Sequence, residues 1–215
     1  MAHLSGEMIK TIFFDIGGVL INIHPEKTFQ YLSDCTDISV EEIRDRFPVI
    51  AHDEYEKGNL TNTEWYLAVK DSLPQPCCLK EVDFWRAWKL LLGEEKETVK
   101  LLRKLRETYS IWLLSNTNPQ HIRDEIEQRY TFPQLVHGTV DSFDVGLRKP
   151  DKEIYITAAQ LADTCPKDSI FIDDLEENIH SAIKEGFTGI HFKTIEQLEI
   201  DLEMLGLFQK EKESL

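Results

Sequence analysis

Two hydrophobic rhythms run along this chain, and the change between them divides it. Residues 12–14, Ile-Phe-Phe, form a short continuous apolar run that ends at Asp15 and is bounded by Gly17 and Gly18. That is the pattern of a strand buried on both faces, with a tight backbone turn after it. From Asn22 to about Gly93 the rhythm becomes helical, and no second buried strand is predicted there. Ser39 and Glu42 have capping-box spacing ahead of Val40, Ile43 and Phe47, and Pro48 closes the segment. Thr61 and Glu64 repeat the device before Trp65, Ala68 and Val69, with Pro74 and Pro76 behind them. Residues 80–92 read as a third helix with Phe84, Trp88 and Leu91 on one face, and residues 55–59 as a turn around Gly58. The aromatic residues of this segment are expected to pack a core.

From Glu94 onward strand and helix patterns alternate. Val99, Leu102 and Leu105 mark a helix, and residues 111–114 a buried strand ending at Ser115. Residues 119–129 read as a polar helix opened by Pro119, a favoured first helical position, and Leu135 and Val136 as a short third strand. Ile154, Ala158 and Leu161 share a helical face after Pro150. Residues 170–172 form a strand ending at Asp173 and Asp174, residues 175–185 a helix stopped by Gly186, and residues 189–192 a last strand before an amphipathic helix. Such alternation predicts an α/β fold, a doubly wound, Rossmann-like parallel sheet. The first strand belongs to it. The expected organisation is therefore a core of residues 1–21 and 94–215 with a helical cap, residues 22–93, inserted over the strand ends.

At 215 residues the chain can bury a large core without staples. With 39 acidic against 24 basic residues its formal charge is −15, which disfavours nucleic acid and anionic membranes as partners. A small anionic substrate stays compatible with a locally basic or metal-bearing cleft. Cys35, Cys77, Cys78 and Cys165 have no CxxC or zinc-ligand spacing and read as reduced thiols. No apolar run approaches the ~18 residues of a membrane span, and no signal-peptide core is present. The expectation is a cytoplasmic protein, monomeric as far as its sequence requires. Residues 1–7 read as an extension ahead of Met8, which could be the natural start, and FQKEKESL at the other end as a solvated tail.

In a parallel sheet the carboxyl ends of all strands open on one crevice. Asp15, Ser115 with Asn116, and Asp173 with Asp174 should meet there, and Lys149, just ahead of Pro150, can reach them. Three carboxylates in one cleft require a cation, and an all-oxygen set suits Mg²⁺. Asp15, Asp174 and the Gly17 carbonyl can supply ligands. Ser115 can donate a hydrogen bond and Lys149 a positive charge to an anion, while Gly17 and Gly18 let backbone approach it. The group that accepts carboxylate attack while carrying anionic oxygens is a phosphoryl group, with Asp15 as nucleophile.

The segments FFDIGGVL, LLSNTN, GLRKPDKEIY and FIDDLEENI, in that order, resemble the four motifs of the haloacid dehalogenase superfamily of phosphatases. The helical stretch after the first motif is similar to the cap of its members. The pattern is especially similar to bacterial phosphatases acting on α-D-glucose-1-phosphate. The resemblance implies Asp15 as nucleophile, Ser115 and Asn116 at the phosphoryl oxygens, and Lys149 as charge clamp. It also implies Asp174 as direct Mg²⁺ ligand, Asp173 acting through a water, and Asn178 holding the motif loop, on a small phosphorylated metabolite. One departure stands out. Most of these phosphatases carry a second Asp two residues after the nucleophile, as general acid and base, and here that position is Gly17. Such a group contributes ~10²–10⁴-fold. His24 and Glu56 are candidates to replace it, and neither is assigned the role. Two other readings are a metal-free 2-haloacid dehalogenase, which the adjacent Asp173 and Asp174 disfavour, and a catalytically silent phosphate-binding regulator.

Overall fold

The computed structural model describes residues 9–207; the extension before them, including Met8, and the tail FQKEKESL lie outside the described residues. The strands are β1 (Thr11–Phe14), β2 (Ile21–Ile23), β3 (Leu92–Glu95), β4 (Ser110–Ser115), β5 (Gly138–Asp141), β6 (Ser169–Asp173) and β7 (Thr188–His191). Five of them form one sheet in the order β5-β4-β1-β6-β7, every neighbouring pair parallel. The central strand, β1, is buried along its whole length, which is why its sequence is apolar without alternation.

Its side chains feed two cores. Ile12 and Phe14 join Leu101, Leu102 and Leu105 of the helix Thr98–Leu105 and Leu198 and Leu202 of the helix Ile195–Met204 on one face. Phe13 joins Ile154, Tyr155 and Ala158 of the helix Lys152–Leu161 and Ile179 and Ala182 of the helix Glu176–Lys184 on the other. Helices thus cover both faces, the doubly wound architecture that the alternating pattern predicts. Among the described residues no helix is long and apolar enough to cross a membrane.

Residues between β2 and β3 form five helices: α1 (Pro25–Thr36), α2 (Val40–Asp45), α3 (Val49–Glu56), α4 (Asn62–Ser72) and α5 (Glu81–Lys89). Thr61 and Glu64 make the full capping box of α4, and the Ser39 side chain accepts from the Glu42 N–H at the start of α2. Their aromatic side chains build a third apolar cluster, with Trp65 stacked on Tyr55 at 5.5 Å between ring centres. This insert rests on the strand ends of the sheet. Trp88 stacks on His121 at 5.3 Å, Asn62 bonds Gln120, and Gly58, at φ 74°, faces the Phe143 carbonyl so closely that a Cβ would collide with it.

Three expectations are corrected. The segment after Asn22 is not purely helical, because β2 and β3 pair antiparallel, Ile21 opposite Glu95 and Ile23 opposite Leu92, and the helix expected over residues 80–92 ends at Lys89. Strands of three and four residues, INI and LGEE, are too short to display a period. The third strand of the sheet is Gly138–Asp141, whereas Leu135 closes a 3₁₀ turn (Phe132–Leu135). This edge strand contributes one apolar side chain, Val140, to the core, and Gly138 is required where the Trp112 indole leaves no room for a Cβ. Helix α3 also starts without a side-chain cap, and α1 has only Pro25 at its first position to mark it.

Asp141, at the end of β5, is 5% exposed; Thr139 donates to its Oδ2, and Oδ1 is buried without a partner among the described residues. Burial pushes its pKa up from 3.8 to about 6, with Asp144 and Glu127 adding and Thr139 opposing. A carboxyl raised on folding stabilises the protonated folded state, so this contribution is complete below pH 4 and is lost as pH rises through 6. Asp141→Asn is expected to raise stability at pH 7.5 by up to about 3 kcal/mol and to flatten its pH dependence between 4 and 7. Urea unfolding across that range measures both effects.

Candidate active site

Asp15 leaves β1 with its N–H bonded to the Ile172 carbonyl of β6, which fixes it at the carboxyl edge of the sheet. Its Oδ1 accepts from the Ile16 N–H at 2.8 Å and lies 2.9 Å from Lys149 Nζ. Lys149 is 2% exposed, and its ammonium donates also to Asp173 Oδ2 at 2.6 Å and the Leu114 carbonyl at 3.0 Å. All three of its hydrogens are thereby used. Burial pulls the pKa of this ammonium down, but Asp15 and Asp173 outweigh burial and hold it above the ordinary lysine value.

The loop that delivers Lys149 is held by Asn116. Its Oδ1 accepts from the Lys149 N–H at 2.8 Å and its Nδ2 donates to the Lys149 carbonyl at 2.9 Å. The side chain expected at the phosphoryl oxygens is therefore spent on the neighbouring backbone. Asp173, with no exposed surface, accepts from the Leu175 N–H at 2.8 Å and from Asn178 Nδ2 at 3.0 and 3.1 Å. Asn178 thus pins the loop after β6.

Asp15, Asp173 and Asp174 each present an oxygen within 4.8 Å of the other two. Burial pushes Asp15 up to about 7, Asp173 and Asp174 adding to the rise and Lys149 opposing it. Asp174 is raised as well, first by burial and then by Asp173, against Lys149 and Lys96. Gly18, at φ 72°, is forced by this packing, because a Cβ there would run into the Asp174 carboxylate. Lys96 Nζ donates to the Gly18 carbonyl and sits 4.7 Å from the Phe192 ring, which holds the turn. A cluster of hard oxygen donors with more negative charge than Lys149 neutralises fits a divalent cation such as Mg²⁺.

Between these strand ends and the helical insert lies a cavity of about 110 Å³, lined among others by Gly17, Ile23, His52, Glu56, Trp88 and Ser115. Ser115, the last residue of β4, is 3% exposed. The loop after it is tied down where the Thr117 N–H donates to Ser142 Oγ, which donates back to the Thr117 carbonyl. Glu56 Oε2 accepts from Arg148 Nη2 at 2.9 Å, and Arg148 also pairs with Asp53 at 3.1 Å, joining α3 to the residue before Lys149. His52, Asp53 and Glu56 form a second cluster of ligand atoms, but this one already carries the Arg148 guanidinium.

The structure thus brings Asp15, Lys149, Asp173 and Asp174 into one charged group, with Gly17, Ser115 and Asn116 facing the adjoining cavity and Gly18 under Asp174. It separates the two candidates for the missing acid. Glu56 lines the cavity, whereas His24 pairs with Glu26 at 3.0 Å and Glu94 at 3.6 Å and is not among the cavity residues. His52 was not singled out by the sequence; its i, i+4 spacing to Glu56 was the available signal.

A model of haloacid dehalogenase-like hydrolases matches residues 9–186. The chain belongs to this family. A D-ribitol-5-phosphate phosphatase of Bacteroides thetaiotaomicron is 25% identical over 197 residues, covering 84% of this chain and 90% of the relative. A sesquiterpene phosphatase of Aspergillus oryzae is 26% identical over 183 residues, covering 85% and 89%. Among solved structures, a haloacid dehalogenase family enzyme of Bacteroides thetaiotaomicron, in complex with magnesium and inorganic phosphate, superposes with a TM-score of 0.76 at 27% identity, over 86% of this chain and 94% of that one. A 2-haloacid dehalogenase of Pseudomonas syringae shares the fold, with a TM-score of 0.59 at 16% identity over 85% of each chain. The haloacid dehalogenase-like hydrolase described here is therefore an enzyme of the α/β class, and its charged group lies within the matched segment.

Proposed function

We propose that this hydrolase is a Mg²⁺-dependent phosphatase of small phosphorylated metabolites that works through an aspartyl-phosphate on Asp15. The observation that carries the reading is the arrangement of Lys149 between Asp15 and Asp173, with Asp174 beside them and Ser115 at the adjoining cavity. The Ile16 N–H and Lys149 both hold Oδ1 of Asp15, so Oδ2 is the oxygen set for attack. Its lone pair forms the bond to phosphorus as the bond to the leaving oxygen breaks, and a water later releases phosphate and restores the carboxylate. Lys149 offsets the charge of the phosphoryl oxygens and the Ser115 hydroxyl donates to one of them. Asn116 contributes by fixing the Lys149 backbone.

Asp15, Asp174 and the Gly17 carbonyl would hold Mg²⁺, with Asp173 behind them because its oxygens serve Lys149, Asn178 and Leu175. Bound there, the cation supplies positive charge that keeps Asp15 ionised and screens the approach of an anion. The substrate reading includes sugar phosphates such as glucose-1-phosphate. Relatives named for ribitol-5-phosphate and for sesquiterpenes support a common phosphoryl chemistry with different organic groups. Residues 22–93 act as the cap that sets that choice, in a cytoplasmic monomer.

A panel of ribitol-5-phosphate, glucose-1-phosphate, glycerol-1-phosphate and a terpenyl phosphate is expected to give phosphate release that requires Mg²⁺ and stops with chelator. Chelator-insensitive turnover would sink the mechanism. Chloride release from 2-chloropropionate would favour the dehalogenase reading instead.

A further inference from the structure

The phosphatase reading leaves one task without an owner, the proton exchange with the leaving group that a side chain at position 17 would perform. Resting on that reading, we propose that His52, oriented by Glu56, performs it: the imidazole protonates the leaving oxygen and then takes a proton from the water that attacks the aspartyl-phosphate.

Three observations place this pair at the task. First, His52 and Glu56 come from α3 of the insert and line the same cavity as Gly17 and Ser115. A Cβ built on Gly17 points at Ile23, 3.3 Å from its Cδ1, and Ile23 is another wall of that cavity. Position 17 and His52 thus border one cavity, on opposite sides of the contact between the sheet and the insert. Second, Glu56 is itself fixed. Arg148 holds Oε2 at 2.9 Å, while Oε1 lies 3.7 Å from His52 Nε2. Burial, the largest effect, and Arg148 leave the His52 pKa below the ordinary histidine value, against Glu56 and Asp53, which favour the imidazolium. The ring is also packed by Phe47 at 5.5 Å and Trp65 at 5.3 Å, so it does not swing freely. Third, the other histidine of the cavity is committed elsewhere. His121 has one nitrogen 3.1 Å from the Trp88 carbonyl and the other 3.1 Å from Asn118 Nδ2, and burial lowers its pKa to about 4. His52 Nδ1, with no partner among the described residues, is the atom left for exchange.

The proton balance closes without a further reactant. As Asp15 Oδ2 bonds to phosphorus and the P–O bond to the organic group breaks, the electron pair stays on the leaving oxygen, which takes the proton from His52. In the second half, water gives a proton to the now neutral imidazole as its oxygen bonds to phosphorus and the acyl phosphate bond breaks.

The test uses the full chain with Mg²⁺ and two substrates, 4-nitrophenyl phosphate, whose leaving group needs no proton, and the alkyl phosphate hydrolysed fastest in the panel. In His52→Asn, kcat on the alkyl ester should fall roughly 10²-fold or more. The first-turnover burst of nitrophenol should persist, followed by slow steady-state turnover. Adding Gly17→Asp to that variant should restore at least a tenfold share of alkyl ester turnover. Equal losses of burst and alkyl turnover, no loss, or no rescue in a variant that melts like the parent would overturn the assignment. Should His52→Asn fail to fold, Glu56→Gln must show the same leaving-group-selective loss in weaker form, and an unselective loss overturns the proposal. A parent chain that hydrolyses neither ester overturns the phosphatase reading itself, and the assignment with it; activity in the parent with no selectivity in the variants overturns only the role of His52.

Discussion

Asp15→Asn is expected to reduce turnover by on the order of 10⁴-fold or more while leaving the fold as stable as before, or more so. The amide keeps the shape of the side chain and an oxygen to accept from the Ile16 N–H, but it neither attacks phosphorus nor ligates a cation with full charge. The stability side follows from crowding. Asp15 already sits at about 7 because burial and two neighbouring carboxylates disfavour its ionised form. Removing one of three crowded carboxylates therefore relieves repulsion, while Lys149 retains Asp173 at 2.6 Å. Steady-state kinetics with Mg²⁺ and a thermal melt in chelator read the two outcomes separately. A variant that loses activity because it unfolds contradicts this account of the site.

Lys149→Met should do the opposite to stability. Among the described residues the ammonium is the one cation in contact with both Asp15 and Asp173, and Asp173 has no exposed surface. Breaking a buried ion pair from one side costs about 3–5 kcal/mol, because the remaining charge is left uncompensated. Urea unfolding in chelator should show a loss of that size, part of which Mg²⁺ restores by neutralising the same carboxylates. Turnover should fall by roughly 10²–10³-fold even with Mg²⁺ saturating, since the charge opposite the phosphoryl oxygens is gone. A stable Lys149→Met protein in chelator would mean that the lysine does not hold the carboxylates together.

The contrast between these two variants shows what could be read in the sequence. Asp15, Ser115 and Asp173 are legible because each ends or follows a strand of a parallel sheet, and parallel strands deliver their carboxyl ends to one place. Lys149 is legible only through its position ahead of Pro150 and the company of the other three. The apolar runs that carry them, such as 12–14 and 170–172, are buried on both faces and therefore unmistakable. β5 is not, because an edge strand needs one inward side chain and Gly138 makes room for Trp112 by lacking one. β2 and β3 are hidden by their length. The insert is legible in its packing but not in its aim. Phe84, Trp65 and Trp88 read as core residues and are, yet the i, i+4 spacing of His52 and Glu56 puts them on one face of α3 without telling whether that face meets the sheet. His52 owes its place to how the helices rest on the strand ends, through contacts such as Gly58 against Phe143 and Trp88 against His121. Those contacts are long-range and leave no local pattern. Asn116 illustrates the same limit at finer scale: its position was clear, but both its amide atoms turn to the Lys149 backbone, 33 residues away.

The central claim is that phosphorus is transferred to Asp15. Its most direct measurement is acid quenching of the enzyme within its first turnovers on a phosphomonoester with Mg²⁺, followed by mass spectrometry of the peptide carrying residues 11–27. A mass gain of one phosphoryl group on Asp15, absent without Mg²⁺ and absent in Asp15→Asn, is the predicted result. Continued phosphate release by an enzyme in which Asp15 never carries phosphate, or is replaced by Asn without loss, would contradict it.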